Sequence, residues 1–219
     1  MHLPNLPTLS RRSPSRFAAF AATAVMAAAA CGAAQADYIW IERDAAAAHA
    51  HVGELGGTRQ PATSVASPRA FLADGKDLPL TVESDAFTVP AASSGDLRLV
   101  ANRVSDGGTL TYYQARFGRA GTQAANDLEL VPTTPEGNTF RLMWKGNAVA
   151  ASQVNVETSE GWRRVLKPAK DGTVSMGTPF PGLYVLEVTA RVNGAVTVDG
   201  KKYEDVRHTA TLSFEVTPR

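Results

Sequence analysis

Cysteine is nearly absent: the chain of 219 residues has one, Cys31. A single thiol excludes an intrachain disulfide framework and any paired-cysteine zinc or redox motif. Long apolar runs are missing too. The longest, Phe17 to Ala30, is about 14 residues, short of the roughly 20 that a membrane-crossing helix needs. There is no Gly-x-Ser-x-Gly elbow and no glycine loop of the phosphate-cradling or dinucleotide-binding type. Acidic residues are scattered without an inward-facing pair suited to acid–base work. These absences argue against an enzyme. Histidine is also scarce, with four residues, His2, His49, His51 and His208.

No acidic residue precedes Asp37, and the first 36 residues read as an export signal. Arg11, Arg12 and Arg16 form its basic start, the alanine-rich stretch follows, and Ala34-Gln35-Ala36 offers a small-x-small cleavage site. Ser10-Arg11-Arg12 hints at twin-arginine export, but Pro14 stands where that motif has an apolar residue. Cys31 after Ala28-Ala29-Ala30 loosely resembles a lipoprotein acceptor without its usual leucine. The expectation is cleavage after Ala36, release into the periplasm or medium, and no membrane span in the remaining chain. Removing three of 22 basic residues leaves 19 against 21 acidic ones, a net of −2. A chain so nearly neutral lacks the basic footprint of a nucleic-acid binder.

After Asp37, short alternating runs bounded by Gly, Pro, Asn and Asp predict an all-β protein. Phe140, Leu142 and Trp144 share one strand face. Tyr184, Leu186 and Val188 share another, and Val206, Ala210, Leu212 and Phe214 a third, each set opposite polar neighbours. Residues 127–219 therefore read as an immunoglobulin-like or transthyretin-like sandwich. Strands at Tyr38–Ile41, Ala46–Val52, Leu78–Val82, Asp96–Val104 and Thr109–Phe117 predict a second β-sandwich over residues 37–124. Gly118–Asn126 would be a hinge and Gly56–Gly75 a surface excursion.

The sharpest chemical candidate is a metal site. His49 and His51, two apart on a strand, direct both imidazoles to one face about 7 Å apart. Imidazole suits Ni, Co, Cu or Zn, and Glu54, Asp37 or His208 would complete the set. The plain alternative for the pair is exposed strand histidines without a ligand. His208 shares the phase of Val206, Ala210 and Leu212, so it is expected to be at least partly buried, as a hydrogen-bonded core histidine or a ligand. Trp40, Trp144 and Trp162 offer a possible platform for carbohydrate or peptide, although Trp144 has a core phase.

Several segments together resemble a known family. They are Asp37-Tyr38-Ile39-Trp40-Ile41-Glu42, His51-Val52-Gly53-Glu54 and Tyr112-Tyr113-Gln114-Ala115-Arg116-Phe117-Gly118. Further on come Trp144-Lys145-Gly146-Asn147, Gly161-Trp162, Asp171-Gly172, Pro181-Gly182-Leu183-Tyr184 and Arg207-His208-Thr209-Ala210-Thr211-Leu212. In this order they resemble a bacterial periplasmic family of undefined domain function, long labelled the periplasmic component of a cobalt or nickel uptake system. The resemblance implies a transthyretin-like module, a bound nickel- or cobalt-type ion, and a metal transporter as partner. Where family members often begin with a histidine, this chain has Ala36-Asp37. The other function considered is a ligand-free sandwich that binds another envelope protein by a face or an edge strand.

Overall fold

The computed structural model describes residues 37–90 and 95–218. The expected export segment, 1–36, lies outside them. The described chain is all-β, as the alternating pattern predicts. It begins with β1 (Tyr38–Arg43), β2 (Ala47–Gly53) and β3 (Ala66–Leu72), followed by the short β4 (Asp77–Leu78), β5 (Thr81–Val82) and β6 (Phe87–Pro90). A long hairpin follows, β7 (Leu97–Val104) and β8 (Leu110–Phe117). Next come β9 (Leu128–Pro132), β10 (Thr139–Trp144), β11 (Asn147–Val149), β12 (Val154–Thr158), β13 (Arg163–Leu166) and β14 (Thr173–Ser175). The chain closes with β15 (Gly182–Val192), the hairpin β16 (Val196–Val198) and β17 (Lys201–Tyr203), and β18 (Val206–Val216).

Eight strands make a central sheet in the order β13-β12-β15-β18-β8-β7-β3-β4. It is antiparallel except where β18 runs parallel to β8, with Ala210 opposite Gln114 and Leu212 opposite Arg116. Two smaller sheets cover it: β1-β2-β6-β5, and β9 with β10, whose other edge carries β11 and β14. Alternation assigns the faces. Leu97, Leu99, Tyr113 and Ala115 of the central sheet pack against Ile39, Ile41, Ala50, Val52, Phe87 and Val89 in one core. Tyr184, Leu186, Ala210, Leu212 and Phe214 pack against Leu128, Leu130, Phe140 and Leu142 in the other. In the β8/β18 register, Tyr113 and Ala115 align with Thr209 and Thr211, and Gln114 aligns with Ala210. The two cores therefore lie on opposite faces of one sheet.

The halves expected at 37–124 and 127–219 each keep a core, but the parallel pairing of β8 with β18 joins them by continuous backbone hydrogen bonds. The segment expected to be a hinge is tied down by a buried ionic network. Arg98 and Arg116, both fully buried, converge on Glu129 Oε1, with Arg98 Nη2 at 2.9 Å and Arg116 Nη1 at 2.9 Å. Glu129 Oε2 accepts the backbone N–H groups of Ala125 and Asn126. Asp96 pairs with Arg116 and accepts from the N–H groups of Ala120 and Gly121.

Three other expectations need correction. The supposed excursion 56–75 contains β3, which pairs with β7 beyond a register shift between Ala66 and Arg69. Pro68 and the positive φ of Ser67 fall at this irregularity and hide the strand from a pattern search. The single strand expected at Leu78–Val82 is two. Pro79 cannot donate to a ladder, and the chain crosses there from β4 in the central sheet to β5 in a smaller one. The polar face of β18, read as solvent-facing, is covered: Thr209, Thr211 and Ser213 are buried. Thr211 Oγ1 donates to the Ile39 carbonyl and Ser213 Oγ accepts from Ile41 N–H, so these hydroxyls partner the free edge of β1.

Candidate functional site

β2 pairs with β1 so that His49 lies opposite Glu42 and His51 opposite Trp40. Ala48, Ala50 and Val52 enter the core, so both imidazoles leave the other face, as the His-x-His spacing predicts. Both are already engaged there. His49 Nε2 is 3.4 Å from Asp44 Oδ2, and its Nδ1 is 3.2 Å from Thr88 Oγ1. His51 Nε2 is 2.9 Å from Glu42 Oε1, and its Nδ1 is 3.1 Å from the Asp85 carbonyl. His51 is also buried, its ring 5.3 Å from that of Trp40. Arg59 bridges Glu42 and Asp85 at the rim. Asp44 is held below the usual carboxylate range, first by the N–H groups of Ala47 and Ala46 and then by His49.

The other expected ligands do not join this pair. Asp37 precedes β1 and forms an ion pair with Arg103 at 2.9 Å. It is three residues from Trp40, the strand partner of His51, or about 10 Å along an extended chain. Glu54 follows Gly53, whose partner is Tyr38, at the far end of the ladder from His49. His208 is on the other face of the central sheet, since Thr211 and Ser213 on the near face support β1. Among the described residues, no three His, Cys, Asp or Glu side chains converge as a metal cage would require. The acidic partners Glu42 and Asp44 were missed in the sequence, although Glu42, two residues from Trp40 on the same strand face, is the neighbour alternation would have placed beside the histidines.

His208 occupies a different setting. It is 6% exposed, stacked on Tyr112 with ring centroids 4.9 Å apart, and meets Trp144 edge-on at 4.7 Å. Its Nδ1 lies 3.2 Å from Gln114 Oε1, which also accepts the Leu128 N–H at 3.2 Å. Burial pushes its pKa down to about 4; Asp127 raises it and Lys145 lowers it by smaller amounts. The imidazole is therefore neutral at pH 7. It lines a pocket of about 500 Å³ at the mouth of the second core, walled by Leu128, Leu142, Trp144, Val149, Val188 and Ala190. Trp144, expected in the core, is instead half-buried at this mouth because the β10–β11 turn at Lys145-Gly146 ends the sheet beside it.

The chain matches no protein-family model and no curated protein.

Proposed function

We propose that the protein is a non-catalytic component of the bacterial cell envelope that takes a divalent nickel- or cobalt-type ion at the β1/β2 histidine face, as an accessory to a metal transporter. The observation that carries this reading is the pair of imidazoles on one face of β2, each with a carboxylate, Asp44 or Glu42, at its Nε2. Imidazole nitrogen and carboxylate oxygen are donors that these ions, and Cu or Zn, accept. Every imidazole nitrogen here has a partner, so an incoming ion must displace a hydrogen bond rather than enter an empty cage. Such a site suits exchange and delivery better than permanent structural binding. The reading rests on His49, His51, Glu42 and Asp44; Asp37, Glu54 and His208 have no part in it. Export by the N-terminal signal, and an immunoglobulin-like or transthyretin-like identity for residues 127–219, belong to the same proposal.

Calorimetry of the purified protein with Ni, Co, Cu and Zn, beside the His49→Ala/His51→Ala double variant, tests it. Binding heat that the double variant loses is the expected result. Equal heats from the two proteins refute the assignment. Absence of heat from either favours the second reading, an envelope module that binds another protein through an edge strand. That reading is supported by β13, an edge strand of the central sheet, where Val165 is 50% exposed.

A further inference from the structure

The pocket at the mouth of the second core has features the metal reading leaves unused. Its walls are apolar on both sides: Leu142, Trp144 and Val149 from one sheet, Val188, Ala190 and Val192 from the other. Its volume of about 500 Å³ lies within the usual range for small-molecule sites. Among its lining residues, His208 is the only His, Cys, Asp or Glu, so a metal ion would find a single ligand. Arg191 at the rim is largely solvent-exposed and pairs at 2.8 Å with Asp205, which it shares with Arg207. Its charge is therefore screened by water and partly balanced rather than enclosed in the pocket.

The hydrogen-bond chain behind His208 fixes which atom faces the pocket. The Leu128 backbone N–H can only donate, so the Gln114 side-chain atom it meets is the oxygen. That oxygen can only accept from His208, so Nδ1 carries the ring proton. Nε2 is then a bare acceptor, and no hydrogen bond among the described residues reaches it. A side chain more than nine-tenths buried thus keeps one free acceptor, Nε2, accessible at a pocket with mostly apolar walls. A ligand donor that reaches this acceptor would replace a water hydrogen bond with its own while its apolar body fills the pocket.

We infer that this pocket binds a small neutral molecule, apolar and flat enough to lie along Trp144, with one O–H or N–H that donates to His208 Nε2. The site is on the opposite face of the central sheet from His49 and His51, so it stands or falls independently of metal binding.

The test compares p-cresol with 4-methylanisole, which has nearly the same shape and no donor. Both are titrated into the full protein while the histidine ring nitrogens and the Trp144 indole are followed by NMR. The expected result is that p-cresol shifts the unprotonated Nε2 resonance of His208 and binds at least about tenfold tighter than the ether, the discrimination a lost hydrogen bond of about 1.4 kcal/mol gives. His208→Phe should bring the two compounds to equal affinity. Because His208→Phe also removes the Gln114 contact, Ala190→Trp serves as a second variant. It fills the mouth directly across the strand from His208 without removing the imidazole or Gln114, and should abolish binding of p-cresol while the spectrum of the rest of the protein is retained. Equal affinity of the two compounds for the unaltered protein, or no shift at His208 and Trp144 with either, overturns the inference.

Discussion

Replacing Glu129 with alanine tests whether the segment between the halves is a hinge or a clamp. The carboxylate accepts from Arg98 Nε at 3.2 Å, Arg98 Nη2 at 2.9 Å and Arg116 Nη1 at 2.9 Å through one oxygen. Through the other it accepts Ala125 N–H at 2.9 Å and Asn126 N–H at 2.7 Å. Without it, Arg116 keeps Asp96, but Arg98 is left with only the carbonyls of Asp96 and Gln123. Arg98 becomes a fully buried charge with no counter-ion, and removing one partner of a buried pair costs about 3–5 kcal/mol. At a urea dependence of about 2 kcal/mol per molar, the unfolding midpoint should fall by roughly 1.5–2.5 M. The pair is shielded from solvent, so the loss should be the same at low and high salt. Glu129→Gln should fall between the two proteins, because its amide oxygen still accepts from the arginines while its NH2 faces two backbone donors. A midpoint lowered by less than about 0.5 M, or a loss that vanishes in high salt, would refute a buried clamp and restore the hinge.

Two further outcomes follow from single residues. Gly118 has φ +104°, and a Cβ there would lie within contact of the Asp96 carboxylate, so Gly118→Ala should cost about 1–3 kcal/mol in urea unfolding; an unchanged midpoint would show the 118–121 turn to be loose. For His208, pH gives a signed prediction. Its pKa is about 4 when folded and about 6.5 when unfolded, so at pH 7 both states are neutral and nothing is lost. As pH falls below about 6.5 the unfolded chain takes up the proton first, and stability drops until about pH 4, by at most ~3 kcal/mol. His208→Phe should flatten that window in urea midpoints measured from pH 7 to 4.5, and an identical slope in the variant would contradict the burial argument.

The cores were legible because strands declare themselves by alternation. Phe140, Leu142, Tyr184, Leu186, Val188, Leu212 and Phe214 are buried in the register that their spacing predicts. What alternation misjudged was the other phase. It assigns polar residues to solvent, yet Arg98, Arg116, Thr209, Thr211 and Ser213 are buried, because each has a partner from a distant part of the chain. A hydroxyl that satisfies a strand edge and a guanidinium that satisfies a carboxylate have the same spacing as exposed side chains. Only the fold distinguishes them. β3 escaped for a local reason, the Ser67-Pro68 irregularity, which breaks the period where the strand begins.

The same limit governs the histidines. His-x-His spacing placed both imidazoles on one face, since that follows from strand geometry alone. It could not show that Glu42 and Asp44 would meet them, nor that Asp37 would turn to Arg103. The phase of His208 with Ala210 and Leu212 implied burial. Its separation from His49 follows only from β1 resting on the opposite phase of β18, through Thr211 and Ser213. One strand thus decides both candidate sites. Its hydroxyl phase holds the sheet that carries the paired imidazoles, and its apolar phase turns the third histidine into the other core. A ligand set that spans the two would require β18 to shift by one residue against β8, which would also bring Leu212 and Phe214 beneath β1.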